Sequence, residues 1–410
     1  MGGQCGRDFG QNADFIDRSN PQIISASHFA QSHRTKLPID IPIKDVRYHL
    51  IVVAHGSGQA CSRFYNDTAS LMINTRIVGD AHMQTKNQVP PFSVGIVNPG
   101  GLFIHVLDDS SLDTLLNYLD TVGDFVDYLS ARERFLKSRT VIAAGEEELL
   151  GFYLSRIEGD RRGFFVPPNI DSVLIDGGLW QDFLSSDSYK AKKTADKISY
   201  LWDGIINSVT KSVLSGRSFF ETDRSINDQE KCLRILARER RTTRRALAQS
   251  VLDIVRRANM EHLSARLIAE NQSTDSKTAF VILSLKFLPE IDLTTYREAR
   301  IAWLEKYCMV AKMLQPKAKQ VVGIATEHRD FKGNRSEDLV LLDSDHWTKD
   351  DEEEAIRLQE EECIFKSVSR SSGKINEFPI CWVKKQALKN RRNRPCPCGS
   401  GKRYKNCHGR

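Results

Sequence analysis

Four residues that can bind metal stand close together at the carboxyl end of the chain, where Cys396, Cys398, Cys407 and His408 form a C-x-C-x8-C-H array. Zinc prefers four thiolate or imidazole ligands in a tetrahedron, and tight turns bring such ligands together in structural sites. Residues 399–401 read Gly-Ser-Gly, and glycine lets the backbone reverse where a side chain would be strained. The spacing therefore predicts a zinc site made by these four side chains.

The composition of the segment indicates that the metal must supply its folding free energy. Pro395 and Pro397 restrict the backbone around the first two cysteines, which lowers the entropy lost on binding. Tyr404 is the main apolar residue, so the free energy must come from zinc, roughly 10 kcal/mol or more in small zinc modules. We expect the segment to be disordered without metal. The competing interpretation is a redox pair formed by Cys396 and Cys398.

Residues 393–409 carry a family resemblance, in the order Asn-Arg-Pro-Cys-Pro-Cys-Gly-Ser-Gly-Lys-Arg-Tyr-Lys-Asn-Cys-His-Gly. This segment resembles the C-terminal zinc motif of the SecA translocase motors, the SEC-C motif. The resemblance implies zinc ligation by the four residues named above and a cationic surface formed by Lys402, Arg403 and Lys405. In SecA-like proteins the module docks to the chaperone SecB and to ribosomes, and it also occurs on many unrelated bacterial proteins. It therefore implies a docking part, and it covers the tail only.

The rest of the chain lacks the motif of a SecA-type ATPase. A P-loop needs G-x-x-x-x-G-K-[ST], because backbone amides and the lysine wrap the phosphates together. Gly-Lys occurs only at 373–374 and 401–402, and Ser or Thr follows neither pair. The sequence therefore excludes a P-loop motor.

The positive charge of the chain is concentrated in its tail. The net charge is +6, with 59 Lys and Arg against 53 Asp and Glu. Ten of the basic residues lie in 384–410, which contains no acidic residue, so the remainder carries 49 basic residues and is about −4. Such an excess suits an acidic protein surface, a ribosome or a nucleic acid, and a merely solubilising tail is the alternative. The residues expected to contact a partner are Arg391, Arg392, Arg394, Lys402, Arg403 and Lys405.

The sequence favours a cytoplasmic protein. It has no run of 18 uncharged apolar residues, and residues 1–8 resemble no secretion signal. The nine cysteines include five scattered singly before Cys381, which fits a reducing compartment without structural disulfides.

The alternation of strand and helix patterns predicts an α/β fold, with mixed α+β as the variant, in two globular domains plus a small zinc knuckle. A polar arm covers 1–47, a mixed α/β domain 48–220, and a helical then small α/β domain 221–365. A linker at 366–383 joins these to the basic SEC-C segment at 384–410.

Several local patterns give sharper expectations. Strand-like residues 92–97 and 102–107 flank Asn-Pro-Gly-Gly and predict a hairpin. Asp108-Asp109-Ser110 predicts a helix N-cap, and Thr294 or Thr295 should cap a helix that buries Cys308.

An arginine-rich segment follows residue 230. Arg234, Arg238, Arg241 and Arg245 would form a phosphate-binding stripe on one continuous helix, but the apolar pattern favours a break near 242–243.

Other candidate sites are weaker. His55 and Ser57 follow a predicted strand at 48–54 in a glycine turn that could hold an anion, although a plain turn is favoured. His105 is expected to be packed rather than catalytic. The acidic residues 146–148 could bind a metal, but they suit the positive end of a helix better.

Two functions from different classes remain. The favoured one is a cytosolic zinc-binding accessory protein, whose tail docks the α/β body onto a ribosome, chaperone or other acidic surface. The alternative is a metal-dependent nuclease or nucleic-acid-binding protein. A nuclease needs D/E-x-K beside another Asp, and the chain offers Asp275-Ser276-Lys277 with Asp40, Asp171 or Asp176 as remote partners. Whether the body is catalytic stays open.

Overall fold

The structure is a computed structural model, and it describes residues 47–57, 70–84, 92–158, 161–214, 226–257, 262–269, 273–288, 290–328, 331–332, 336–366, 377–378 and 406. Apart from residues 47 and 406, the predicted arm and the predicted basic tail lie outside these residues.

The described chain contains both strands and helices, interspersed along its length, and the fold is α/β. The strands are β1 Leu50–Ala54, β2 Met72–Val78, β3 Ser93–Ile96, β4 Ile104–Asp108, β5 Thr140–Ala143, β6 Ile157–Glu158, β7 Arg161–Arg162, β8 Ser172–Ile175, β9 Leu263–Ile268, β10 Thr278–Leu285, β11 Gln320–Glu327 and β12 Glu337–Asp343. The helices are α1 Asp109–Tyr118, α2 Val122–Ser138, α3 Glu146–Ser155, α4 Leu179–Ser185, α5 Asp187–Asp196, α6 Tyr200–Leu214, α7 Ile226–Arg238, α8 Arg241–Arg257, α9 Leu293–Leu314 and α10 Lys349–Glu361.

The N-terminal unit, comprising β1 to β8 with α1 to α5, is built on a four-stranded sheet in the order β3-β2-β5-β8. Strands β2 and β5 are antiparallel, while β5 and β8 run parallel. A separate parallel pair joins β1 to β4, from Leu50 opposite Ile104 to Ala54 opposite Asp108. Parallel strands place their carboxyl ends at one edge, so Ala54 and Asp108 lie side by side where α1 begins.

The hairpin predicted around Asn-Pro-Gly-Gly is wrong. Strand β3 pairs with β2, and β4 pairs with β1, so the two segments join different sheets. All five residues of β4 are buried. A strand covered on both faces fits a parallel arrangement better than a half-exposed hairpin.

The first helix cap is confirmed. The carboxylate of Asp108 accepts a hydrogen bond from the Ser111 backbone N–H at 2.7 Å. Inward-facing leucines then anchor α1 and α2 to the core through Leu115, Leu119 and Leu129.

The C-terminal unit, comprising α6 to α10 with β9 to β12, has one sheet in the order β12-β11-β10-β9. Only β10 and β11 are parallel in it. Helix α9 packs on one face, where Cys308 is fully buried as predicted. Helices α6, α7 and α8 cover the other face, with Trp202 and Leu236 completely buried between them and the sheet.

Helix α9 is capped two positions before Thr294, the earlier of the two expected caps. Its N-cap is Asp292, whose Oδ1 accepts from the N–H groups of Thr294 at 3.0 Å and Thr295 at 3.1 Å. The threonines therefore donate to the cap instead of providing it.

The predicted helix break is confirmed, slightly upstream of its expected position. Helix α7 ends at Arg238 and α8 begins at Arg241. Arg241 is almost fully buried and binds Asp120 and Asp203, at 2.8 and 2.6 Å. Its charge is neutralised inside the protein, so the continuous phosphate-binding stripe does not form.

One described part of the predicted linker contacts the body. Phe378 is 3% exposed and packs against Phe183 of α4, with ring centroids 6.4 Å apart. Beside it, Glu377 forms an ion pair with Arg162 at 2.8 Å. The chain is therefore anchored to the N-terminal unit shortly before the tail.

Among the described residues, no helix is long and apolar enough to cross a bilayer.

Candidate functional site

The zinc ligands predicted from the sequence lie outside the described residues. The same holds for all six predicted partner-binding residues. Their roles therefore remain predictions, and the residues in question are Cys396, Cys398, Cys407, His408, Arg391, Arg392, Arg394, Lys402, Arg403 and Lys405.

A different group of possible metal ligands lies in the N-terminal unit. His49 directly precedes β1, His105 lies in β4, and Glu133 lies in α2. The parallel pairing sets Ile51 opposite His105, which brings the two imidazoles to a ring-centroid separation of 5.7 Å. One ligand atom from each of the three side chains lies within 4.8 Å of the other two. Within the described residues, this is the one group of three such side chains.

Both histidines have a buried ring nitrogen without a partner. Neither Nδ1 of His49 nor Nε2 of His105 makes a hydrogen bond to any described residue. His105 is completely buried, with the Phe103 ring edge-on at 4.8 Å. Buried polar atoms are nearly always satisfied by protein, water or an ion, so these two nitrogens indicate a site that takes a further group.

The surroundings keep both imidazoles uncharged. Burial, together with the positive charge of Arg132, lowers the pKa of His105 to about 2. Burial and the nearby Arg47 also lower the pKa of His49, although the Glu133 carboxylate opposes this. A neutral imidazole is the form that binds metals.

Arg132 also fixes the tautomer of His105. Its Nη1 lies 3.2 Å from His105 Nδ1, and a guanidinium can only donate. Nδ1 therefore accepts, and the single ring proton resides on Nε2. The other guanidinium nitrogens bind Glu146, which holds Arg132 in place.

The acidic residues that open α3 do not converge on a metal. Glu146 binds Arg132, and Glu147 binds the Ser70 hydroxyl. Glu148 accepts hydrogen bonds at 3.0 Å from two backbone N–H groups at the start of α4. These contacts agree with the interpretation that the three acidic residues serve the start of a helix and do not form a metal site.

The glycine turn after β1 is closed by local bonds. His55 Nδ1 lies 3.0 Å from Asp109 Oδ2, and the same oxygen accepts from the Gly56 N–H at 3.2 Å. The Ser57 hydroxyl donates to the Ala54 carbonyl at 3.1 Å. Gly56 has a φ of 75°, which favours glycine. These contacts fit the plain turn that the sequence favours.

The segment Asp275-Ser276-Lys277, which was the candidate for a nuclease site, has a structural role. The Asp275 carboxylate accepts from the Ser273 hydroxyl and from the backbone N–H groups of Lys277 and Thr278, which shapes the turn before β10. Asp171 and Asp176 both lie in the N-terminal unit, away from Asp275. Asp171 is 3.6 Å from Arg139. Asp40 falls outside the described residues.

Sequence reasoning missed the histidine group because its members are separated by 56 and 28 positions. Only the pairing of β1 with β4 and the packing of α2 bring them together. A buried histidine on a strand was the available signal, and it was interpreted as packing.

Comparison with known proteins assigns the tail to a known motif. The SEC-C motif occupies residues 392–410. Protein translocase subunit SecA of Chlorobium phaeovibrioides is 56% identical over 39 residues, which cover 10% of this chain and 4% of that protein. The chain thus matches a small fraction of the length of this relative. No solved structure matches it significantly. The body is not assigned to a family by these similarities.

Proposed function

We propose that the protein is a cytoplasmic zinc-binding accessory factor whose SEC-C tail docks its α/β body onto an acidic partner. The partner class is the surface of a ribosome, a chaperone or another acidic protein. The observation that carries the proposal is the SEC-C match to 392–410, which coincides with the segment where the positive charge of the chain is concentrated.

Charge explains how such a tail would dock. Three thiolates on one zinc leave the site at about −1, and ten basic residues in 384–410 exceed this. The resulting positive surface attracts an acidic one over roughly 10 Å at ordinary ionic strength, so the attraction weakens as salt is added. The body carries a small negative charge and would not compete strongly for the same partner.

The metal half of the proposal is tested by zinc stoichiometry on the reduced full chain. Cys396→Ser should remove the tail zinc, whereas Cys363→Ser should leave it in place. Cys363 is an exposed thiol outside the motif, so it provides a matched control. Retention of all bound zinc by the Cys396→Ser protein would contradict the assigned ligand set.

The docking half is tested by co-sedimentation with purified ribosomes and by binding to immobilised polyglutamate. Binding should decrease with salt, and also when Lys402, Arg403 and Lys405 are changed together to Gln. Equal binding by this triple variant would refute the cationic surface. Incubation with RNA and DNA in the presence of Mg²⁺ should leave both intact, and metal-dependent cleavage would favour the nuclease alternative.

A further inference from the structure

We propose that the recess between the C-terminal half of α2 and residues 162–166 binds a mononucleotide, with the base stacked on Phe165 and the phosphate held by Arg134. The recess has a volume of about 750 Å³, and small-molecule sites typically measure roughly 300–1,000 Å³. It belongs to the N-terminal unit, so the proposal goes beyond the docking function of the tail.

One wall of the recess is aromatic and rigid. The rings of Phe135 and Phe164 lie parallel, with their centroids 4.5 Å apart, and both line the recess. Phe135 is buried in the core of the unit, and Phe164 packs against the same cluster. Small-molecule sites are mostly apolar with a few polar groups, and this wall supplies the apolar part.

Phe165 is the ring that can stack on a ligand. It is partly exposed and, within the described part of the chain, contacts no other aromatic ring. A β-carbon at Gly163 would lie 3.1 Å from the tip of the Phe165 ring, so glycine leaves the ring room beside the backbone. The Phe165 carbonyl accepts a hydrogen bond from Arg156 at 3.3 Å, which supports the segment. Bases of every kind stack on such a ring.

Four cationic side chains line the same recess, and Arg134 is the one best placed to bind an anion. Two carboxylates neutralise Arg162, and Lys137 is paired with Glu133 at 2.9 Å. Arg139 donates through Nη1 to two backbone carbonyls. Arg134 is exposed and forms no ion pair with another described residue. Its guanidinium can therefore bind a phosphate in the two-bond geometry that arginine favours.

The dipole of α2 sets the orientation of the ligand. The helix ends at Ser138, which lines the recess, and the negative end of a helix dipole repels a phosphate. Arg134 lies one turn earlier, so the phosphate is expected there. The last carbonyl groups of a helix lack intrahelical donors and suit an amino group. A base with an exocyclic amino group, such as adenine, is therefore favoured over uracil.

A single nucleotide fits better than a nucleic-acid strand. Sites for single strands combine several stacking rings with a cationic groove that follows the backbone. Within the described residues, this recess offers one unstacked ring and one unpaired cation, which match one base and one phosphate.

The test uses the full chain carrying Lys402→Gln, Arg403→Gln and Lys405→Gln, because a basic tail attracts phosphates by itself. Calorimetric titration with AMP should show one site, and UMP and ribose 5-phosphate should bind more weakly. Phe165→Ala and Arg134→Gln, added singly, should each weaken AMP binding by roughly tenfold. Arg357→Gln is the matched control, because it removes an exposed arginine of α10 in the other unit.

Amide exchange gives a second readout that does not depend on the variants. AMP should slow exchange in residues 162–166 and at the end of α2, which a nucleotide on the tail would not do. Absence of AMP binding would overturn the proposal, as would equal AMP affinity in the Phe165→Ala protein and its parent. Tighter binding of hexa-adenylate than of AMP would also overturn it, because the ligand would then be an RNA strand. None of these results bears on the zinc or the docking of the tail.

Discussion

Arg132 and Glu146 form a two-point ion pair in the interior of the N-terminal unit. Nε of Arg132 lies 2.8 Å from Oε1 of Glu146, and Nη2 lies 2.9 Å from Oε2. Their side chains are 3% and 4% exposed, and the Tyr128 hydroxyl donates to the same carboxylate. The pair joins the middle of α2 to the start of α3.

Glu146→Gln should therefore be strongly destabilising. It leaves the guanidinium buried without its counter-charge, which typically costs about 3–5 kcal/mol. The free energy of unfolding in urea measures this loss. Glu354→Gln breaks an ion pair with Arg357 on the exposed face of α10, where solvent screens the charges and little or no loss is expected. Similar losses in the two variants would mean that the buried pair is not the anchor inferred here.

Gly123→Ala should disrupt the contact between the two units. A β-carbon there would lie 2.2 Å from the Arg238 carbonyl oxygen at the end of α7, so one backbone must move. Overpacking of this kind typically costs about 1–3 kcal/mol. Gly204→Ala in α6 is the control, because its β-carbon meets nothing within 4 Å. There the change should stabilise the helix by about 0.5–1 kcal/mol. The midpoint of thermal unfolding should therefore fall in the Gly123→Ala protein and rise in the Gly204→Ala protein.

Glu239→Gln should change how stability depends on pH. Burial raises the pKa of Glu239 to about 7, against hydrogen bonds from Thr274 that lower it. Because the folded pKa lies above the unfolded one, the folded state binds more protons between pH 4.5 and 7. This carboxyl group therefore contributes less stability as pH rises through that window, and the amide has no such loss.

The expected change follows from the size of the shift. Between pH 4.5 and pH 8, the free energy of unfolding of the Glu239→Gln protein should rise by about 3 kcal/mol relative to that of wild type, since each pKa unit corresponds to about 1.4 kcal/mol. Urea denaturation at the two pH values measures it. Glu360→Gln at an exposed position of α10 should run parallel to wild type. A Glu239→Gln curve that also runs parallel would show that Glu239 does not titrate in this range.

Phe378→Ala should detach the segment before the tail. The truncation removes a buried ring from the cluster around Trp180 and Phe183, at a cost of about 3 kcal/mol. Amide exchange in α4 should become faster. Glu377→Gln removes the neighbouring ion pair with Arg162 but leaves the ring, and Arg162 keeps its contact with Asp124. A smaller effect is therefore expected, and equal protection in all three proteins would exclude an anchoring role for Phe378.

Local features of the fold could be predicted from the sequence. Asp108 as an N-cap, the break between α7 and α8, and the burial of Cys308 each depend on residues a few positions apart. The hairpin failed because its strands find partners far away in the chain. Turn residues specify where the chain reverses, but burial on both faces of β4 decided which strand lies beside it.

The same distinction applies to the candidate sites. The four predicted metal ligands of the tail are close in sequence, so their spacing alone predicts their chemistry. His49, His105 and Glu133 come from three elements, and no local pattern relates them. The acidic residues of α3 show the opposite case, because Glu146 and Glu148 are only two positions apart in sequence but bind different parts of the fold.

If the tail docks as proposed, the burial of Phe378 limits how far the bound partner can be from the N-terminal unit. Cys396 follows it by about 18 residues, and a fully extended chain of that length spans about 60 Å. A molecule confined to a sphere of that radius has a local concentration on the order of 1 mM. A surface of the body with only weak affinity for the same partner would then be substantially occupied by it whenever the tail holds that partner.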